Sequence, residues 1–305
     1  MKRVLITGVA GFIGSHVARR FIEEGVEVFG VDDLSGGKKE NLPEKIGFLQ
    51  ADLAQKEVIK LLPATCDLIL HLAGQSSGEI SFDDPVSDLA KNTASTLNLI
   101  QYGIEKNVDR IIYASSMSVY GEVPDQPISE ERHCEPLSCY GVGKLAAENY
   151  LRVYQHKLPY VALRMFNVYG PGQDMANLRQ GMVSIYLAQA INSGRIEVKG
   201  SVDRFRDFIF IDNVVEAWWK VANDSSIKNQ ILNVGSGIRI TVAQLLEYIE
   251  RLVPGSCHYI SNNTLGDQSG IYADNKRLVS LINLHKFTPI ELGLDLLLNY
   301  EMREV

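Results

Sequence analysis

Cysteine is scarce in this chain, with 4 in 305 residues. Cys66, Cys134, Cys139 and Cys257 form no CxxC pair and no metal-finger spacing. A disulfide scaffold and a structural zinc site are thereby excluded, and a reducing, cytoplasmic setting is expected. Long apolar runs are lacking too. Lys2 and Arg3 precede VLIT, but Gly8, Gly11 and Gly14 interrupt the run before it reaches the length of a secretory core. Nothing approaches the ~18 apolar residues of a membrane span, so no membrane partner is expected. Basic residues are in deficit, 30 against 37 acidic, for a formal net charge of −7. A general nucleic-acid binder needs a basic face, which argues against that partner. No His, Asp or Glu grouping has metal-ligand spacing. What is present is ordinary for a globular protein, 46% hydrophobic and 22% charged, with ample length for a core.

Short apolar runs alternate with helical periodicity. Strands are expected over 3–7, 26–31, 46–50, 68–72, 110–114 and 161–165, and helices over 12–24, 55–62, 86–106 and 138–157. Repeated βα units predict an α/β fold, a doubly wound parallel sheet covered by helices on both faces and linked by right-handed crossovers. After Asn167 the rhythm changes. VYGPGQ (168–173) is a turn cluster, followed by a helix over 178–192 and strands over 196–198, 207–211 and 231–234. Thr241 caps a helix through about 252, and Gln244 completes a capping box. The tail 255–305 is mixed and polar, without a repeat. A smaller mixed α/β cap is therefore expected to pack on the first part as a lid. The division is interleaved, with a cofactor-binding part over 1–169 plus 207–235 and a cap over 170–206 plus 236–305. Trp218 and Trp219 are expected to pack between the two parts.

TGVAGFIG (7–14) sets Gly8, Gly11 and Gly14 between the first strand and the first helix. Glycines there allow a tight turn and close backbone approach to a pyrophosphate, and the helix N-terminus offers amides to the anion. The bare triplet is weak evidence, and its position is the stronger part. Asp32 and Asp33 end the second strand, where a carboxylate accepts from the ribose hydroxyls and repels a 2′-phosphate. No Arg follows immediately, so NAD is favoured over NADP. Asp52, after the third strand, could accept from the adenine amine or be a solvated turn residue.

YxxxK places two side chains on one helix face, and a nearby ammonium favours the tyrosinate. The pattern occurs as Tyr102/Lys106, Tyr140/Lys144 and Tyr272/Lys276. Position selects Tyr140/Lys144, which opens the helix after ASSMSVYG (114–121). That segment delivers Ser115 and Ser116 to the carboxyl edge of the sheet, where ligands of open α/β folds bind. His71 reads as a strand histidine bonded to backbone, and Cys139 lacks the surroundings of a nucleophile. Arg204 and Arg206 flank Phe205, and on a strand both could meet a diphosphate.

TGVAGFIG, Asp32, HLAG (71–74), Ser116 with YGVGK (140–144), LRMFNVYGPG (163–172), RDFIFIDN (206–213) and YADNKR (272–277) follow one another in a family's order. The chain resembles an extended short-chain dehydrogenase/reductase of the NAD-dependent nucleotide-sugar epimerase/dehydratase family, most like its UDP-glucose 4-epimerase group. The likeness spans nearly the whole length and implies a Rossmann fold with a substrate cap. It implies that Gly8, Gly11, Phe12, Ile13 and Gly14 hold the pyrophosphate of NAD. Asp32 and Asp33 meet its ribose, Asp52 and Leu53 flank its adenine, Ala73 and Gly74 line it, and Asn92 lies near its nicotinamide half. Ser116, Tyr140 and Lys144 act on the sugar, Tyr140 and Lys144 also touching NAD. Asn167 and Arg206 bind the nucleotide sugar, Ile271 borders the hexose, and an aliphatic side chain there would admit an N-acetyl group. A homodimer through 86–106 and 138–157 is implied as well.

Three departures from the family pattern carry information. Met117 and Ser118 stand where 4,6-dehydratases have Asp-Glu, and decarboxylases keep a Glu at the Ser118 position. Thr264, before Gly266-Asp267, replaces a phosphate-binding Arg. Ser95 replaces a Gly. The resulting expectation is a nucleotide-sugar 4-epimerase working through a 4-keto intermediate. A 4-keto reductase and a non-catalytic NAD sensor are the alternatives.

Overall fold

The computed structural model describes residues 1–262, 266 and 268–304. In chain order the first part carries β1 (Arg3–Thr7), α1 (Phe12–Glu23), β2 (Glu27–Asp32), β3 (Gly47–Gln50), β4 (Leu68–His71), α2 (Pro85–Leu89), α3 (Ser95–Glu105), β5 (Arg110–Ser116), α4 (Cys139–Tyr154) and β6 (Tyr160–Met165). There follow β7 (Asn167–Tyr169), α5 (Met182–Ser193), β8 (Arg195–Lys199), β9 (Phe205–Arg206), β10 (Phe208–Phe210), α6 (Ile211–Asn223) and β11 (Gln230–Val234). The chain closes with β12 (Ile240–Thr241), α7 (Val242–Leu252), β13 (Cys257–Ser261), α8 (Lys276–Ile282) and α9 (Ile290–Glu304).

Period-two alternation decides which face each strand residue covers. Val4, Ile6, Leu68, Leu70, Ile112 and Leu163 join the cluster that holds Val17 and Phe21 of α1. Their neighbours Leu5, Ile69, Ile111 and Ala162 join the opposite cluster with Leu99 of α3 and Leu151 of α4. With both faces covered, β4 and β5 are buried from end to end. The result is a 7-stranded sheet in the order β11-β6-β5-β4-β1-β2-β3. Every pairing in it is parallel. This is the doubly wound Rossmann arrangement, and its order reverses beside β1, which opens a crevice at the carboxyl ends.

Several elements differ from the sequence expectation. The helix expected over 86–106 is broken into α2, a π-helical turn at Ala90–Ala94, and α3. Ser95 Oγ donates to Lys91 O and Thr96 Oγ1 donates to Asn92 O, so side chains occupy carbonyls of the turn that is widened. The expected helix over 55–62 is only a 3-10 turn, Lys56–Leu61. The helix expected from 178 starts at Met182, because Gly181 has a φ of +87° and the Asn177 side chain caps the Arg179 amide in a turn. The strand expected over 207–211 is shortened to β10, with Ile211 opening α6 and Asp207 standing between β9 and β10, its carboxylate accepting from the Ser236, Gly237 and Ala273 amides and the Ser236 hydroxyl. The tail left unassigned beyond 255 forms β13, which pairs in parallel with β8, and the helices α8 and α9. Its signals were weak because β13 is short and half polar, and its partner lies far back in the chain.

Around α5 and α7 sit the two-stranded pairs β8/β13 and β9/β12, with β7/β10 beside the main sheet. The Thr241–Gln244 capping box is present in full. Trp218 is fully buried, but Trp219 meets Phe21 of α1 edge-on at 4.9 Å, so it packs within the first part rather than between the two. Among the described residues no helix is long and apolar enough to cross a membrane.

Candidate active site

The phosphate loop is built from backbone alone. Gly8, at φ +68°, donates its amide to Val31 O at 2.8 Å, and Gly11 donates to Gly8 O at 3.1 Å. A Cβ on Gly8 would lie 2.6 Å from Ala73 N, and one on Gly14 would lie 2.0 Å from Gly8 O. Only glycine fits this close approach of β1, β4 and α1. No side chain caps the first turn of α1, so its amides face the crevice. This cradle suits a dinucleotide pyrophosphate.

A cleft of about 1080 Å³ runs along the carboxyl edge, and its walls include Gly8, Gly11, Phe12, Ile13, Gly14, Asp32, Asp33, Asp52, Leu53, Ala73 and Gly74. Asp32 accepts from Ala10 N at 2.9 Å and from Leu34 N at 2.8 Å, which orients its carboxylate. Burial raises its pKa and these backbone bonds oppose the rise. Asp52 accepts from the Ala54 amide at 2.9 Å, an Asp-turn bond that leaves it at the cleft wall. Asp33 differs from Asp32. Both its oxygens are engaged, by the Ser35 amide and hydroxyl at 2.8 and 2.6 Å and by Lys91 Nζ at 2.8 Å. The Lys91 and Ser35 bonds hold its pKa below the usual carboxylate range against the opposing effect of burial.

Two expected residues do not reach the cleft. Asn92 is fully buried behind Gly74, with its Oδ1 2.4 Å from where a Gly74 Cβ would be. Its Nδ2 donates to Asp88. The π turn rotates Lys91 and Ser95, not Asn92, to the cleft wall. Ile271 is fully buried in the small cluster of Val119, Tyr120 and Ile128 and does not line the cleft. Neighbour identity, which one sequence cannot report, decides both cases.

The strand β5 ends at Ser116, whose Oγ accepts from Ser118 N at 3.1 Å. Ser115, one residue earlier, points to the other face and donates to Glu148. Glu148 pairs with Arg164 at 2.7 Å, both side chains 3% exposed. Ser138 caps α4 through the Gly141 amide, which sets Tyr140 in the first turn beside Ser116. Lys144, one turn on, donates to Ala114 O at 3.0 Å and lies 5.6 Å from the Tyr140 ring centroid. Burial pushes the phenol up to about 12, with the Ser116 hydrogen bond opposing the rise. Burial likewise lowers the ammonium to about 8, against the pull of Asp88 and Glu148. The YxxxK spacing predicts a lowered phenol, whereas burial sets Tyr140 above its ordinary value.

The other two YxxxK pairs are structural. Tyr102 donates to Pro63 O at 2.8 Å in the core, and Tyr272 lies edge-on to Phe205 at 6.0 Å. His71 is bonded to the hydroxyls of Thr7 and Thr96 at 2.8 and 3.0 Å, not to backbone as expected.

A second cavity of about 540 Å³ adjoins the cleft, and Met117, Ser118, Asn167 and Gln180 line both. Asn167, on β7, donates to Met117 Sδ at 3.5 Å and Asp207 O at 3.1 Å. Arg204 and Arg206 both line the second cavity, although only Arg206 lies on β9. Arg206 is 2% exposed and donates to Phe205 O and Gln268 O. Arg179 and Lys199 add cations that sequence reasoning missed, Arg179 for want of any motif around it. Thr264 and Asp267 lie outside the described residues. Among the described residues no group of three or more His, Cys, Asp or Glu could hold a metal ion.

The family model "NAD dependent epimerase/dehydratase family" matches residues 4–235. The chain is 36% identical over 253 residues to the UDP-glucose 4-epimerase of Mycolicibacterium smegmatis, covering 80% of each. It is 32% identical over 314 residues to UDP-glucuronic acid decarboxylase 1 of Xenopus tropicalis, covering 100% of this chain and 73% of the other. The crystal structure of the Thermotoga maritima UDP-glucose 4-epimerase with UDP-glucose superposes with a TM-score of 0.94 at 30% identity, covering 99% of each chain. With the glycine cradle, the cleft carboxylate at the end of β2 and this likeness over most of its length, the chain belongs to the NAD-dependent epimerase/dehydratase family.

Proposed function

We propose that this protein is a nucleotide-sugar 4-epimerase of the UDP-hexose or UDP-N-acetylhexosamine type. One observation carries the choice within the family. Met117 and Ser118 occupy the wall shared by the two cavities, and neither has a carboxyl group. Dehydration or decarboxylation would need an acid and a base there. Proton removal from one hydroxyl needs only Tyr140.

In this reading Arg206, with Arg204, holds the diphosphate in the second cavity, and Asn167 and Ser116 orient the sugar. Tyr140 takes the proton of the sugar 4-hydroxyl and returns it. Lys144, still largely protonated at neutral pH, stabilises the phenolate as it forms. Bound NAD supplies the acceptor and donor of the C4 hydride. Gly8, Gly11, Gly14 and Asp32 anchor it, and Ala73 and Gly74 form the wall beside it. A 4-keto sugar tethered by its diphosphate can present either face. The chain then divides in labour, with 1–169 plus 207–235 holding the cofactor and 170–206 plus 236–305 covering the sugar.

Exposed apolar side chains on the adjacent helices α2 and α4 support a homodimer. Val86 is 76% exposed, Val142 53% and Val153 63%. Exposed apolar side chains on these helices are of the kind a second copy of the chain would cover.

Tyr140→Phe tests the mechanism. Turnover is expected to fall by about 10²–10⁴-fold, the range for losing a general base, with NAD still bound. Retained epimerisation would overturn the role. Incubation with UDP-, GDP-, CDP- and TDP-sugars, resolved by chromatography and mass, should yield a C4 epimer without net cofactor consumption. Stoichiometric oxidation of NADH would instead identify a 4-keto reductase.

A further inference from the structure

The cofactor cleft holds a cation that the sequence pattern around Asp32 does not reveal. Lys91 belongs to the π turn between α2 and α3, 58 residues beyond Asp33, yet its Nζ lies 2.8 Å from Asp33 Oδ2. The same ammonium donates to Ser35 Oγ at 2.7 Å, and that hydroxyl donates to Asp33 Oδ1 at 2.6 Å. The three side chains form a closed ring of hydrogen bonds. All three line the cleft, as do Asp32, Asp52 and Leu53. The ion pair is only about a quarter exposed, so solvent screens it less than a surface pair.

We propose that Asp33, Lys91 and Ser35 form the element that discriminates between NAD and its 2′-phosphorylated counterpart, with Asp33 neutralising a lysine that would otherwise receive the 2′-phosphate. Asp33 directly follows the carboxylate placed to accept the ribose diol, so its surroundings are where a 2′-phosphate would project. An ammonium and a serine hydroxyl are suitable donors for that phosphate. Here both are already turned toward a carboxylate. The net charge of the ring is zero, and a 2′-phosphate entering it would meet the Asp33 charge at short range. The preference for NAD thus has two layers, the repulsion by Asp32 and the occupation of Lys91 by Asp33. The inference rests on the family's NAD dependence and not on which sugar is converted, so it stands or falls separately from the 4-epimerase reading.

The test is calorimetric titration of the full chain with NAD+ and with NADP+, read as the ratio of the two affinities. Asp33→Asn leaves the shape and releases the lysine, so the NADP+/NAD+ affinity ratio should rise by about tenfold or more. The double variant Asp33→Asn with Lys91→Met should lose that gain, because the released cation is gone. Lys91→Met alone should lower the ratio, since Asp33 then stands uncompensated. An unchanged ratio in Asp33→Asn, or an equal gain in the double variant, overturns the proposal. If Asp33→Asn fails to fold, Asp33→Ser takes its place with the same expected rise, and an unchanged ratio in Lys91→Met overturns the proposal independently.

Discussion

The floor and the roof of the cleft are built on different principles. The floor is made of backbone and fully buried side chains. Gly8 and Gly14 sit where any Cβ would strike a main-chain atom, and His71 is locked between the hydroxyls of Thr7 and Thr96. The roof is the segment from Gly172 to Gly181, both at positive φ. It is tied down by exposed ion pairs. Lys38 meets Asp174 at 3.0 Å with side chains 55% and 41% exposed, and Arg179 meets Glu79 at 3.1 Å and Asp83 at 2.7 Å. Exposed pairs contribute about 0–1 kcal/mol each, because water screens them and ordering two long side chains costs entropy. Burial in a close-packed floor leaves no such slack. A protein that keeps one ligand and exchanges another benefits from that asymmetry. In the proposed reading the floor holds the dinucleotide, and residues of the roof line both cavities.

Substitutions can break this contrast, and the largest effect is expected in the floor. His71 should dominate the response to acid. Burial lowers it to about 3, whereas an unfolded histidine titrates near 6.5. Because the folded value is the lower one, stability is full above about pH 6.5 and is lost as pH falls from there toward 3, on the order of 5 kcal/mol in all. Urea unfolding followed from pH 7 to pH 4 should show a steep loss in the wild type and a shallower one in His71→Gln. Equal slopes would remove His71 from the account. Next comes Gly14→Ala, which forces a methyl group against Gly8 O. Overpacking of this kind costs about 1–3 kcal/mol, and NAD affinity should drop by at least about tenfold in calorimetry, since the same atoms form the cradle. Unchanged affinity would show that the loop can yield. The smallest effect is expected in the roof. Lys38→Met should change stability by no more than about 1 kcal/mol, and the difference should shrink in high salt. A loss above about 2 kcal/mol would show the roof to be as firmly built as the floor.

Legibility followed the range of the interaction. The strands of the sheet, the glycine loop, the Thr241–Gln244 box and the position of Tyr140 were readable because each depends on residues a few places apart, through backbone sterics, strand alternation and helix periodicity. The roof was not readable as a roof. Its ion pairs join residues 136 and 96 places apart, and β13 finds its partner in β8 across the whole of α6 and α7.

The amino-acid sequence alone therefore determined the fold class, the glycine loop between β1 and α1, and the placing of Tyr140 and Lys144 one turn apart on α4, since these are set by local stereochemistry. The tertiary structure decided where side chains face and what surrounds them. It placed Asn92 and Ile271 behind the cleft wall, brought Lys91 to Asp33, and raised the Tyr140 phenol where spacing predicts a lowered one. Those outcomes depend on desolvation and on charges delivered from distant parts of the chain, and neither quantity exists until the chain has folded.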